Sequence, residues 1–318
     1  MKITSIFIMI FLFIVSGCYN SDSKKIYILD SNKNQAKDSL LIKKKTDYRK
    51  YAVSVYSTPV LNTKNFDSVY GGADSKTLKR SKNGLIKELE YVAFPSSVFE
   101  IIEEYKKKEY SILKVTTKEY NIPELNIELF IDSRFVEIKD EKPAERKVDL
   151  PSVANIYKYF DKTIGTLYVW GANNITGVEM MLKFYTPKGK LSSKEEKEWS
   201  MKGLDCSGLL YEATNGFTPR NTHQLVYYGE PVFIEGLNTK EIMQRIEPLD
   251  IIVWKGHIII VYDKNTTIES SFRAGCVVKK NLLDVLTELI NQRKPVDKWT
   301  NDKKKDFVIR RWVNLLKN

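Results

Sequence analysis

Leu204-Asp-Cys-Ser-Gly-Leu-Leu-Tyr-Glu-Ala-Thr-Asn-Gly216 reads as a short helix with both ends marked. Asp205 carries the short acceptor side chain of an N-cap, and Asn215-Gly216 are stop residues. Cys206 therefore falls in the first helical turn, where the helix dipole and unpaired amides favour a thiolate. A thiolate is a nucleophile and a neutral thiol a poor one. The same amides are placed to donate to an oxyanion. A lone Cys in an apolar stretch is ordinarily a small buried hydrophobe. The acidic cap before it and the Ser-Gly after it favour the nucleophile.

Working outward, Asp250-Ile-Ile-Val-Trp254 is an apolar run, Lys255-Gly256 turns it, and His257-Ile-Ile-Ile-Val-Tyr262 is a second run. After Asp263-Lys-Asn265, Thr267-Ile-Glu-Ser-Ser271 is a third. These predict antiparallel strands joined by tight turns. His257 opens the second strand, a rigid place for a base. A five-residue second turn pairs Ile259 with Glu269, so that Glu269 shares a face with His257 and lies diagonally near it. A carboxylate there orients an imidazole and stabilises its protonated form. A four-residue turn puts Glu269 on the opposite face. The chain has only two His; the other, His223, sits in a polar loop and reads as surface or pocket rim.

Tyr168-Val-Trp-Gly171, Asp205-Cys-Ser-Gly208, Thr218-Pro-Arg-Asn-Thr222 with Gln224, and Pro248-Leu-Asp-Ile-Ile-Val-Trp254 with Gly256-His257 stand in that order. Together, across roughly residues 150–275, they resemble the NlpC-type cell-wall cysteine peptidases. The resemblance implies a papain-like α+β domain and hydrolysis of peptidoglycan stem peptides, often between D-glutamate and the diamino acid. It implies Cys206 as nucleophile, His257 as general base, and Glu269 as the third catalytic member, twelve residues after the His. It also implies Tyr168 beside the nucleophile, and Asp205 and Ser207 as residues that hold the free amine of the stem's first alanine. In that subgroup the Arg matched by Arg220 is often followed by Asp. Here Asn221 follows, and a carboxylate is missing from the expected amine pocket. Residues 172–203 form an insertion wider than a minimal member needs. Trp170 reads as a core aromatic and Cys276 as a structural thiol.

The amino terminus gives an address. Met1-Lys2, an apolar stretch from Ile3 to Val15, and Ser16-Gly17-Cys18 form a secretory signal. The stretch falls short of the ~20 residues of a comfortable membrane span. Val15-Ser-Gly-Cys18 resembles a bacterial lipobox, which implies cleavage before residue 18 and lipidation of Cys18. With Tyr19 following, the usual sorting rule points to the outer membrane of a two-membrane host. Residues 19–50 carry nine Lys/Arg against four Asp and few large apolar residues, the composition of a flexible basic tether.

From 51 to 148 the pattern is mostly β. Tyr51–Tyr56, Glu88–Ala93, Tyr110–Thr117, Leu125–Ile131 and Arg134–Ile138 are strand candidates, and Gly71-Gly72 marks a turn. Their order, with the closing Phe-Ile-Asp-Ser-Arg-Phe-Val136, resembles a small SH3-like β-barrel. Residues 140–151, charged and bracketed by prolines, predict a linker to a peptidase domain at 149–318, after the signal peptide of residues 1–18.

Composition removes several classes. The 318 residues are 42% hydrophobic and 29% charged, which excludes a wholly disordered chain. Three Cys exclude a disulfide scaffold. There is no phosphate loop, no Cys-pair metal spacing and no nucleic-acid motif. The net charge of +11 fits an anionic neighbour such as wall polymer or lipid heads. The expected partners are stem peptides and, through Cys18, a membrane; no nucleic acid, metal or cofactor is expected, and the oligomeric state is open. A wall-binding protein without turnover, and an acyl transferase or deamidase on the same Cys–His pair, are the competing functions.

Overall fold

The computed structural model describes residues 50–71, 77–300 and 305–313. Cys18 and nearly all of the tether lie outside the described residues, as does Gly72. Asp47–Asn318 forms one compact unit. It contains two antiparallel-rich sheets with helices packed on and between them, an α+β architecture.

The first sheet is seven-stranded: β1 (Lys50–Ser54), β2 (Thr58–Leu61), β3 (Leu89–Ala93), β4 (Val98–Lys106), β5 (Ser111–Thr116), β6 (Leu129–Asp132) and β7 (Val136–Lys139), in spatial order β3-β2-β6-β5-β4-β1-β7. Alternation splits its side chains between two cores. Val60, Tyr91, Leu113, Val115, Leu129 and Ile131 meet in one cluster on the inner face. Leu61, Leu89, Ile112 and Phe130 point the other way.

Two expected strands are shorter than the alternation implies. Leu125–Ile131 begins as a 3-10 turn at Pro123–Leu125, and Asn126 takes φ +45°, so pairing starts only at Leu129. Arg134–Ile138 likewise opens as a 3-10 turn, Ser133–Phe135, capped by the Asp132 side chain. The longest strand of this sheet, β4, has no counterpart among the sequence candidates. Its Glu103-Glu104 and Lys106 face water along an edge of mixed polarity, which hides the β period.

The insertion is structured. Helices α2 (Met180–Phe184) and α3 (Ser193–Trp199) bring Met181, Tyr185, Trp199 and Met201 against Phe66, Val69, Tyr70 and the outer face of the first sheet. Trp199 donates from Nε1 to the Tyr185 carbonyl at 2.8 Å, and the Tyr185 hydroxyl donates to buried Asp132 at 2.6 Å. One apolar cluster thus spans both halves of the unit. Gly171 belongs to the same junction: its φ is +72°, and a Cβ there would lie 2.4 Å from the Leu89 carbonyl oxygen.

The second sheet carries the candidate chemistry. Its strands are β8 (Glu230–Val232), β9 (Ile251–Trp254), β10 (His257–Val261), β11 (Thr266–Ser271), β12 (Cys276–Asn281), β13 (Lys294–Pro295) and β14 (Asp306–Arg311). The order is β8-β14-β9-β10-β11-β12, with β13 parallel to β14. One face packs Ile251, Val253, Ile258, Ile260 and Ile268 against α1 (Val153–Thr163) and α4 (Cys206–Ala213). The other packs Ile252, Ile259 and Val261 against α5 (Leu282–Gln292). The three strands read from the sequence are the middle of this sheet. Among the described residues no helix is long and apolar enough to cross a membrane.

Candidate active site

The helix α4 starts at Cys206, and the Asp205 side chain accepts from the Gly208 amide at 2.6 Å. The helix ends at Ala213; Asn215 and Gly216 then take φ +52° and +76°, the left-handed geometry of a stop. Cys206 is nearly buried, at 8% exposed. Its backbone N–H is at the first helical position, where no intrahelical acceptor exists.

Trp254 pairs with His257 across the two-residue turn Lys255-Gly256, where Gly256 has φ +118°. On the other side Ile260 pairs with Ile268 and Val261 with Thr267, a five-residue turn. In this register Glu269 and His257 share a face. His257 Nε2 lies 2.5 Å from Oε2 of Glu269. Cys206 also interacts with the ring and favours its protonated form. Burial works to lower the pKa of His257, but the hydrogen bonds and charges of Cys206 and Glu269 outweigh it and raise the value to about 9. Burial opposes ionisation of Glu269 too. His257 and Lys280 overcome that and hold its carboxyl below the usual range.

Lys280 is a residue the sequence reading missed. Its Nζ lies 2.6 Å from Oε1 of Glu269. Glu269 pairs with Val278 across β11 and β12, so Lys280 is its diagonal neighbour on one face. Recognising Cys276–Asn281 as a strand would have found it.

Asp205, Ser207 and Arg220 form one buried network rather than open groups. Arg220 is 2% exposed. It donates to Asp205 Oδ2 at 2.7 Å, to Ser207 Oγ at 2.8 Å and to Asn173 Oδ1 at 3.1 Å. Burial works against its charge, and Asp205 outweighs burial, so its pKa stays raised. The Gly171 amide donates to Asp205 Oδ2 at 3.0 Å. The network fixes the start of α4. Tyr168 lies near Cys206: burial, then the charges of Cys206 and Asp205, push its hydroxyl pKa up. Its ring meets the exposed Phe272 edge-on, at 5.6 Å between centroids.

Asn221 caps the short helix Thr222–Leu225, accepting from the His223 amide at 2.9 Å. Its Nδ2 donates at 3.0 Å to the hydroxyl of Tyr120, which comes from the first-sheet half and donates in turn to Glu90 at 2.6 Å. A carboxylate absent from position 221 is thus present two hydrogen bonds away. No local sequence signal links these residues.

Trp170 departs from the expected core role. It is half-buried, with the Lys87 ammonium 3.2 Å from its ring centre, and neighbouring Val169 takes the core position. Cys206 and Cys276 are both free thiols.

No protein-family model matches the sequence, and no curated protein matches it. The structural neighbours are NlpC/P60 family proteins at low identity. An NlpC/P60 family protein from Bacillus cereus ATCC 10987 is 11% identical with a TM-score of 0.31, over 84% of this chain and 64% of that one. NlpC1 from Trichomonas vaginalis is 12% identical at 0.30, over 82% and 68%. The peptidoglycan hydrolase RipB from Mycobacterium tuberculosis is 17% identical at 0.29, over 52% and 69%. The chain therefore spans less than two thirds of the Bacillus protein. With scores this low, the geometry of Cys206, His257 and Glu269 is the ground for function.

Proposed function

We propose that this chain is a cysteine peptidase that cuts peptidoglycan stem peptides at the bond between D-glutamate and the diamino acid. The observation that carries the reading is the group Cys206, His257 and Glu269: a buried carboxylate hydrogen-bonded to an imidazole that also interacts with a helix-start thiol. The Cys206 sulfur attacks the amide carbonyl carbon, and the Cys206 backbone N–H donates to the oxyanion. The C–N bond breaks as His257 gives its proton to the departing amine. Water then attacks the thioester, His257 takes the water proton, and the C–S bond breaks to release a carboxylic acid and restore the thiolate. Glu269 holds the ring in orientation and stabilises its charged form.

The rest of the reading follows the same proposal. Cys18 anchors the chain by lipid at the cell envelope, on the outer membrane in a two-membrane host. The first-sheet half is an SH3-like domain that places the peptide, with Tyr120 and Glu90 on the alanine-amine side of Asn221. Asp205 and Ser207 act there by shaping the pocket.

The test is mass spectrometry of purified wall peptides incubated with the full chain and with Cys206→Ala. Fragments from the wild type alone, with masses that place the cut after D-glutamate, support the proposal. A mass shift on one residue without a cut assigns a deamidase, an acylated product a transferase, and binding without change a wall-binding protein.

A further inference from the structure

Strand β3 lies at the edge of the first sheet, where Val92 pairs with Pro59 of β2. Proline has no N–H to give, and the Val92 N–H and C=O turn away from it. Val92 is 1% exposed, so both groups need partners inside the protein. The Asn173 side chain supplies the two. Its Oδ1 accepts from the Val92 N–H at 3.0 Å, and its Nδ2 donates to the Val92 carbonyl at 2.9 Å. A carboxamide carries an acceptor and a donor side by side, so one side chain stands in for a neighbouring strand. The same Oδ1 accepts from Arg220 Nε at 3.1 Å. Asn173 is itself buried.

Two paths leave Asn173 and meet again. Through Arg220 it reaches Ser207 and Asp205, the cap of the Cys206 helix. Through Val92 it holds β3, which carries Glu90. Val60 pairs with Tyr91 and Leu61 with Leu89, so Glu90 is the extra residue of a bulge and the ladder to β2 does not fix it. Glu90 accepts from the Tyr120 hydroxyl at 2.6 Å, Tyr120 accepts from Asn221 Nδ2 at 3.0 Å, and Asn221 follows Arg220 in the chain. The circuit closes. Resting on the peptidase reading above, we infer that Asn173 is a positioning residue of that reaction: its single carboxamide sets Glu90 of the first-sheet half against the helix that starts at Cys206. The Arg220 arm bears on the nucleophile and so on kcat. The Val92 arm bears on Glu90, on the amine side of the peptide, and so on KM.

The test separates the arms. Asn173→Asp keeps the acceptor for Arg220 and the Val92 N–H but sets an oxygen against the Val92 carbonyl. Asn173→Ala removes everything. With L-alanyl-γ-D-glutamyl-diaminopimelate as substrate, and rates of the full chain normalised to folded protein, Asn173→Asp raises KM by about threefold to tenfold and keeps kcat within about twofold. Asn173→Ala raises KM as much and lowers kcat by roughly tenfold. In the Glu90→Gln background, Asn173→Asp adds no more than about twofold to KM, because it acts through Glu90. Unchanged KM in both variants, or effects of Asn173→Asp and Glu90→Gln that multiply, overturns the inference. A second measurement needs no turnover: urea midpoints of Asn173→Ala, Tyr120→Phe and the double variant. If the wild type cleaves nothing, the peptidase reading fails. A double variant shifted less than the sum of the singles then upholds the coupling of the two halves through Asn173, since either break opens the circuit. Additive shifts with no cleavage reject both.

Discussion

Lys280 and His257 hold the two oxygens of one carboxylate: Lys280 Nζ is 2.6 Å from Oε1 of Glu269, and His257 Nε2 is 2.5 Å from Oε2. A carboxylate that is 4% exposed is thereby kept ionised and fixed in rotation. Lys280 acts through Glu269, so it is a positioning residue. Lys280→Met removes a positive charge that depresses the Glu269 carboxyl and opposes the imidazolium. The acid limb of the kcat/KM profile then moves to higher pH, the alkaline limb moves up or stays, and kcat falls by roughly threefold to tenfold. Lys280→Arg restores most of it. An unshifted profile with the same loss of kcat would reduce Lys280 to packing.

The proton on His257 sets an alkaline limit. Its pKa is raised to about 9, so activity that needs the imidazolium to protonate the leaving amine falls as pH rises through that value. Stability follows the same sign. With a folded pKa above the ordinary 6.5, the contribution is fully present below 6.5 and is lost as pH rises through about 9. Urea midpoints of the wild type should therefore decline between those pH values, and His257→Gln should show a flatter profile. A wild-type alkaline limb near 6.5 would contradict the raised pKa.

The local parts of this site were legible in the sequence and the long-range parts were not. Asp205, Cys206 and Asn215-Gly216 declare one helix and its ends, because capping is decided within a few residues. His257 and Glu269 were legible up to one unknown, the turn length. The Tyr262 amide bonding the Thr266 carbonyl at 2.8 Å gives the five-residue solution. Lys280 was hidden because its strand is polar at its end, Lys279-Lys280-Asn281, and reads as a solvated charge run. The same masking hid β4. Tyr120 beside Asn221 depends on docking the first-sheet half through Trp199 and Phe66, a contact no periodicity encodes.

Gly208 is required by a close approach rather than by its dihedral. A Cβ there would sit 2.2 Å from the Ala172 carbonyl oxygen and 3.0 Å from Asp205 Oδ1. That carbonyl accepts from the Asp205 amide at 2.8 Å, so displacing it moves the cap that orients Cys206. Alanine would gain ~1 kcal/mol of helix propensity. The overpacking cost of about 1–3 kcal/mol exceeds that gain. Gly208→Ala should therefore lower the urea midpoint and reduce kcat more than KM. A variant with unchanged midpoint and kcat would show that the loop yields freely.

Glu212 is a half-buried residue near the end of the same helix. Burial raises its pKa to about 7, although the Ile175 amide donates to it at 3.2 Å and works the other way. The sign here is that of a raised acid. Below 4.5 both folded and unfolded forms are neutral and no penalty exists. Between 4.5 and about 7 the unfolded chain ionises while the folded one resists, so stability falls as pH rises and levels off above about 7. Glu212→Gln keeps the acceptor for Ile175 and removes the ionisation. It should be more stable than the wild type at pH 8 and comparable at pH 4, in denaturant titrations at the two pH values. Because Glu212 stands away from Cys206 and His257, kcat at pH 8 should be unchanged within about twofold. Equal stability of the two proteins at both pH values would place the Glu212 carboxyl near its ordinary range, with the Ile175 bond offsetting its burial.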